Sequence, residues 1–164
     1  MSDDPSALPA VLARHTGYLL NRAGAGAQRE FGAALQTIGL TLRAWGAMNV
    51  IDADGPLTQH ALGRALGVDP STMVATIDEL EVAGYVQRRP HPTDRRAHAL
   101  HVTGAGRDLL GRGRALARTA QRELLAPLSP SEREQLHEML RRICEHLGPP
   151  SPLSPSERRR PGAR

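Results

Sequence analysis

Apolar residues recur every three to four positions along most of the chain, which is the spacing of amphipathic helices. Short segments rich in glycine, proline and aspartate separate these stretches and predict where helices end. An alternation with period two, typical of strands, occurs from Tyr85 to Arg89 and again from Ala97 to Val102. The pattern therefore predicts a mainly α-helical chain with one small β-hairpin.

Two short helices joined by a tight turn are predicted just before the hairpin. Thr58 is placed to cap the first helix, and Asp69 to cap the second, with Pro70 at its first position. The residues predicted to face the core from the second helix are Met73, Ile77, Leu80 and Gly84. The opposite face is predicted to carry Ser71, Thr72, Ala75, Thr76 and Glu79. Small hydrogen-bonding side chains on an exposed helix face fit the major groove of DNA.

The predicted hairpin concentrates positive charge. Its arginines are Arg88, Arg89, Arg95 and Arg96, and Asp94 is the single acid among them. A phosphate backbone would relieve the repulsion between these cations, and an arginine at the hairpin tip can enter a narrow minor groove. A solvated basic loop that pairs with surface carboxylates is the alternative. The position of the hairpin directly after the helix pair favours DNA contact. Arg88 and Arg89 are expected at its base, binding phosphate or bracing Asp78 or Asp94.

Three motifs in this region resemble those of the MarR family of winged helix-turn-helix regulators. Asp78 to Val86 reads D-E-L-E-V-A-G-Y-V, Asp94 to Arg96 reads D-R-R, and Leu100 to Gly106 reads L-H-V-T-G-A-G. They are similar to the family's D-x-L-E-x-x-G-(L/Y)-(V/I), its wing motif D-x-R, and the (L/V)-T-x-x-G that opens the following helix. The resemblance implies that Arg96 is the wing arginine and that Asp94 braces it. It also implies a winged helix-turn-helix with flanking N- and C-terminal dimerisation helices.

Further helices are predicted on both sides of this region. One is expected from Ala7 to Arg22, with an interruption at 23–27 before the pattern resumes, and another begins at the Thr41 cap. After the hairpin, a long helix starts at Thr103, and a capping box at 129–132 starts the last helix. The apolar positions of this last helix are Leu136, Met139, Leu140, Ile143 and Leu147. Such a stripe needs a partner, either within one subunit or, as the resemblance implies, across an intertwined homodimer.

We therefore expect four segments. They are an N-terminal dimerisation region (1–39), a DNA-binding lobe (40–103), C-terminal dimerisation helices (104–147) and a disordered basic tail (148–164). The tail has no apolar face to bury. An inert solvated tail is favoured over one that attracts DNA weakly.

Composition limits the other possibilities. The acidic start of the chain is unlike a signal peptide, and no apolar run approaches the length of a membrane span. The single cysteine, Cys144, excludes an internal disulfide and agrees with a cytoplasmic location. His91, Asp94, His98 and His101 lack the pairing that a closed zinc site favours, so no metal or cofactor is expected. No nucleophile and base can be assembled, which argues against a hydrolase or transferase.

The sequence thus predicts a DNA-binding transcriptional regulator, most simply a homodimeric repressor of a palindromic operator. By the resemblance, a small aromatic or phenolic ligand would relieve DNA binding. Candidate residues for its pocket are His15, Tyr18, Arg22, Trp45 and Met48. Ordinary core and interface packing explains these five residues equally well. A winged-helix module that binds other proteins and never DNA is the alternative function.

Overall fold

The structure, a computed structural model, describes residues 8–93 and 97–148. The elements in chain order are α1 (Thr16–Gln36), α2 (Leu42–Asp54), α3 (Gln59–Leu66), α4 (Pro70–Val82), β1 (Val86–Pro90), β2 (His98–Val102), α5 (Gly104–Leu124) and α6 (Pro130–Leu147). The predicted fold class is confirmed: the described chain is mainly helical with one two-stranded antiparallel hairpin. The helices α3 and α4 form the helix-turn-helix, and the hairpin forms the wing.

The helix starts follow the caps that the sequence predicts. Each capping side chain accepts a hydrogen bond from a backbone N–H in the first turn of its helix, which satisfies a donor that would otherwise have no partner. The caps are Thr41 for α2, Thr58 for α3, Asp69 for α4, Thr103 for α5 and Ser129 for α6. Ser129 and Glu132 form the predicted capping box.

Helix α1 differs from its prediction. It begins at Thr16, after a series of turns, and runs without a break through Gly24 and Gly26 to Gln36. Each interior glycine costs a helix up to about 1 kcal/mol relative to alanine. Packing of α1 along α5 and the alanines around the glycines offset that cost. The predicted interruption at 23–27 is therefore wrong.

The core lies between α2, the helix-turn-helix and the base of the wing. Its largest fully buried side chains are Leu35, Met48, Leu62, Met73, Ile77, Leu100, Leu110 and Val86. Burying one aliphatic side chain of this size contributes about 1.5–3 kcal/mol. Since α2 contacts α1, α3, α4, α5 and β2, this core holds the recognition helix to the rest of the chain.

The wing is attached to the lobe at its base. Strands β1 and β2 pair in antiparallel register from Val86 opposite Val102 to Pro90 opposite His98. The Leu100 N–H also donates a hydrogen bond of 2.9 Å to the carbonyl of Leu57, the residue before the α3 cap. The wing is therefore bonded directly to the start of the helix-turn-helix.

Helix α6 buries none of its residues in the described chain. Four large apolar side chains on it are between 37% and 74% exposed: Met139, Leu140, Ile143 and Leu147. Leu19 and Leu20 of α1 are also exposed, at 38% and 40%. The alternative in which packing within one subunit covers these stripes is therefore wrong for the described residues.

Two other predictions stand differently. The division into four segments stays a prediction, and residues 149–164 of the proposed tail lie outside the described residues. Within the described ranges, no helix is both long enough and apolar enough to cross a membrane.

Candidate nucleic-acid interface

The recognition helix α4 presents a stripe of four residues to solvent. Its inner face is fixed by Met73, Ile77 and Leu80, which are all buried. The outer face then falls on Ser71, Val74, Ala75 and Asp78, which follow the i, i+3, i+4, i+7 spacing and are all exposed. We call these four residues the reading stripe.

The cap of α4 shapes the N-terminal end of the reading stripe. One carboxylate oxygen of Asp69 accepts a hydrogen bond of 2.9 Å from the Thr72 N–H and another of 2.7 Å from the Ser71 hydroxyl. The first turn is therefore held in place by its own side chains. Short side chains follow it, so that the helix surface stays open to a close approach.

The structure corrects part of the predicted outer face. Ser71 and Ala75 are exposed as expected, and Thr72 is half-buried. Thr76 is only 6% exposed, and its hydroxyl donates a hydrogen bond of 2.8 Å to the Thr72 carbonyl. The prediction that Thr76 is available to DNA is therefore wrong, because its side chain points into the lobe and its donor is used. Gly84, predicted on the inner face, lies beyond the end of α4 with a φ of +75°.

Val74 is the residue of the reading stripe that sequence reasoning missed. Its side chain is 42% exposed although it is apolar. A helical wheel places position 74 about 100° from Met73, at the edge of the inner face, so the pattern alone leaves its orientation open. The signal that could have identified it is its spacing of three from Ser71 and four from Asp78.

Arg88 joins the wing to both helices of the helix-turn-helix. Its backbone N–H donates to Glu81 of α4 at 3.0 Å, and its guanidinium contacts the same carboxylate. The guanidinium also donates to Asp78 of α4 at 2.6 Å and to Gln59 of α3 at 2.9 Å. Arg88 therefore braces Asp78, one of its predicted roles, and its use as a phosphate ligand is not supported, because its donors are already engaged.

This junction shifts the pKa of two groups. The hydrogen bond from the Arg88 backbone N–H, aided by its guanidinium, lowers the pKa of the Glu81 carboxyl below its ordinary value of 4.5, although burial opposes the shift. Burial alone would lower the pKa of Arg88, but the hydrogen bonds to Asp78 and Glu81 outweigh it and raise that pKa. Both shifts favour the ionised forms, so the junction is a charged contact at neutral pH.

A pH-dependent contribution to stability follows from Glu81. Since its pKa is lower in the folded chain than in the unfolded chain, the contact stabilises the fold above about pH 4.5 and is lost as the pH falls through the lowered pKa. Glu81→Gln should lower stability at pH 7 by a few tenths to about 1 kcal/mol, since the pair is partly exposed. Thermal melts should show that the difference from wild type closes by about pH 3.

Glu79→Gln is the matched control for this experiment. Glu79 is an exposed carboxylate of the same helix without an ion-pair partner among the described residues. It should not reproduce the Glu81 effect at pH 7. A difference between wild type and Glu81→Gln that persists undiminished at pH 3 would contradict the assignment.

The other predicted wing residues are placed less fully. Arg89 is exposed at the outer end of β1. Asp94, Arg95 and Arg96 lie outside the described residues, so their roles in DNA contact stay predictions.

Basic side chains border the N-terminal half of α4. A groove of about 480 Å³ separates it from the start of α2 and is lined by Thr41, Leu42, Arg43, Thr72, Ala75, Thr76 and Glu79. A second groove, of about 240 Å³, lies beside Pro70 and includes Arg64 and His60 of α3. Arg43 and Arg64 form no ion pair within the described ranges. A surface with a small, uncharged centre and a cationic border can bind a duplex through its phosphates.

The five candidate pocket residues are not brought together in one chain. Trp45 lies beside Leu35 and Gly113, whereas Arg22 is 13 positions before Leu35 on α1, a separation of about 20 Å along the helix. His15 and Tyr18 are farther still, and Arg22 donates to the Tyr18 hydroxyl at 3.4 Å. Met48 is fully buried in the core. The prediction of a single pocket lined by all five residues is therefore wrong for one subunit.

Trp45 has an unusual feature nonetheless. Its indole N–H is buried and has no acceptor among the described residues. No group of three or more potential metal ligands converges in the same ranges, and Cys144 is exposed.

Comparisons with known proteins agree on one group. A model of the MarR family matches residues 38–97. A protein of Thauera aromatica, named as a regulator of the hcr operon, is 34% identical over 133 residues, which cover 80% of each chain. The HTH-type transcriptional repressor Rv2887 of Mycobacterium tuberculosis is 32% identical over 127 residues, 77% of this chain and 91% of that one.

Solved structures show the same similarity. The transcriptional repressor CouR, bound to a 23-mer DNA duplex, superposes with a TM-score of 0.76 at 31% identity, over 84% of this chain and 99% of that one. A structure of Rv2887, described as a MarR family protein in complex with p-aminosalicylic acid, superposes with a TM-score of 0.67 at 31% identity, over 79% and 98% of the two chains.

Proposed function

Because this chain belongs to the MarR family of transcriptional regulators, we propose that it is a homodimeric repressor that binds a palindromic operator in duplex DNA. The proposal includes a cytoplasmic location and no catalytic activity. One recognition helix would enter each of two successive major grooves, and one wing would contact each adjacent minor groove.

The reading stripe and its cationic border carry this proposal. The stripe is short, rigidly capped and exposed, and Arg43 and Arg64 lie beside it. Phosphate contacts at the border would fix the position of the helix, while the stripe faces the base edges. The relative CouR, which is bound to DNA in its structure, supports the same use of this fold.

The exposed stripe of α6 supports the dimer. A helix with four large apolar side chains in solvent lowers its free energy by packing against a second copy, together with the exposed leucines of α1. Two recognition helices held about 34 Å apart would read a palindrome and bind far more tightly than one.

We extend the proposal to relief of DNA binding by a small aromatic acid. Rv2887 has been solved with p-aminosalicylic acid, and in this chain a carboxylate or phenolate oxygen could supply the acceptor that the indole N–H of Trp45 lacks. Trp45 is the single tryptophan of the chain, so a change in its fluorescence on titration with salicylate would report such binding directly.

The wing arginines give the test of the function as a whole. Replacing Arg95 and Arg96 together with alanine should weaken operator binding about a hundredfold in moderate salt and leave the dimer intact, since each lost phosphate contact reduces the salt slope by about 1. Fluorescence anisotropy at several salt concentrations would measure both quantities.

The double variant Arg112→Ala plus Arg118→Ala is the control, because it removes the same charge from two exposed positions of α5. Affinity in the wing variant equal to that of this control would refute the wing assignment. A wild-type protein without salt-dependent affinity for any duplex would instead favour a module that binds only proteins.

A further inference from the structure

The centre of the reading stripe is apolar. Val74 is 42% exposed there, and the methyl group of Ala75 is exposed beside it. Valine is β-branched and a weaker helix former than the residues common on exposed helix faces. Neither core packing nor helix propensity therefore accounts for a valine at this position.

The rest of α4 offers no side chain for the usual recognition of purines. The helix contains no arginine, lysine, asparagine or glutamine, which are the residues that bond guanine or adenine edges in pairs. Asp78, the one charged member of the reading stripe, is held by Arg88 at 2.6 Å. Direct recognition by the centre of α4 is thus left to the contacts that apolar side chains make.

One base in the major groove offers an apolar group. Thymine carries a methyl group at C5, and valine and alanine methyl groups contact it favourably. The cationic border of Arg43 and Arg64 would place α4 against the phosphates on either side, and the short side chains of the stripe would let the helix approach closely. Charge complementarity thus identifies the partner, and the apolar centre identifies the base.

We propose that Val74 and Ala75 form a patch that recognises thymine methyl groups, so that each operator half-site carries thymine beneath the N-terminal half of α4. This inference rests on the proposed function and specifies the base that the recognition helix selects.

Deoxyuridine, which is thymidine without the C5 methyl group, tests the inference. The full-length protein would first select its preferred duplex from a randomised library of about 30 bp, long enough for two half-sites. Each thymine of the selected site is then replaced by deoxyuridine, symmetrically in both half-sites. Loss of one methyl contact per subunit should weaken binding about 15-fold, or about fourfold for each methyl group.

A substitution in the protein assigns the contact to its residue. In Val74→Ala, the deoxyuridine effect at the thymine beneath position 74 should fall below about twofold, while effects at other thymines persist. Val82→Ala is the matched control, because Val82 is a 90% exposed valine at the C-terminal end of the same helix. It should behave like wild type on both duplexes.

The outcomes separate the inference from the function. A selected duplex on which no deoxyuridine substitution weakens binding more than twofold overturns the inference alone. A deoxyuridine effect of the same size in wild type and Val74→Ala overturns the assignment to Val74. A library that yields no enriched sequence overturns the proposed function and the inference with it.

Discussion

Replacing Ile143 with glutamate is expected to give a folded monomer that binds operator DNA at least about a hundredfold more weakly than wild type. Ile143 lies in the apolar stripe of α6 and is 43% exposed in the single chain, so the substitution costs the isolated subunit little. In a dimer it would bury a charge without a partner, which costs several kcal/mol. Loss of the dimer removes the second recognition helix and with it the gain from simultaneous contact.

Light scattering coupled to size-exclusion chromatography would measure the mass, and anisotropy would measure the affinity. Gln135→Glu adds the same charge to α6 at an exposed position outside the stripe and should leave both quantities unchanged. A dimeric Ile143→Glu variant would show that α6 does not hold the two subunits together.

Gly106→Ala is expected to have the largest effect on folding. A Cβ atom at this position would lie 2.2 Å from the Tyr85 carbonyl oxygen and 2.7 Å from a Val102 methyl group. The same carbonyl accepts a hydrogen bond of 3.0 Å from the Thr103 N–H, so the start of α5 cannot move away without breaking the bond that attaches it to the wing. We expect a loss of about 3 kcal/mol, and a melting temperature lower by about 10 °C.

Gly111→Ala is the control for this prediction. Gly111 lies on the same helix with nothing within 4 Å of an added Cβ, so alanine should stabilise the protein by about 0.5–1 kcal/mol. Thermal melts of both variants at one fixed protein concentration would compare them. Equal melting temperatures would contradict the close approach of α5 to the wing.

The features that the sequence predicted well depend on neighbouring residues. Thr58 and Asp69 cap their helices through atoms three residues away, and the hairpin strands are close in sequence. Such local chemistry is visible without a structure. The outer face of α4 was harder, because its orientation depends on packing against α2 and on which of two adjacent apolar residues, Met73 or Val74, is buried.

Features that depend on distance through space could not be predicted. Arg88 bonds Gln59, which is 29 positions earlier, and no local pattern pairs them. The candidate pocket failed for the same reason, since Arg22 and Trp45 belong to helices whose contact lies near Leu35. The continuity of α1 was missed because its glycines are compensated by packing against α5.

The bond between Leu57 and Leu100, together with the Arg88 junction, has a consequence for how this regulator can evolve. Both fasten the wing to the helix-turn-helix, so each lobe rotates as a rigid body on its supporting helices. An effector would then change the spacing between lobes and not the shape of either one. Inducer response and sequence preference can therefore diverge independently, the first through mutations in α1, α5 and α6, the second through mutations in α4.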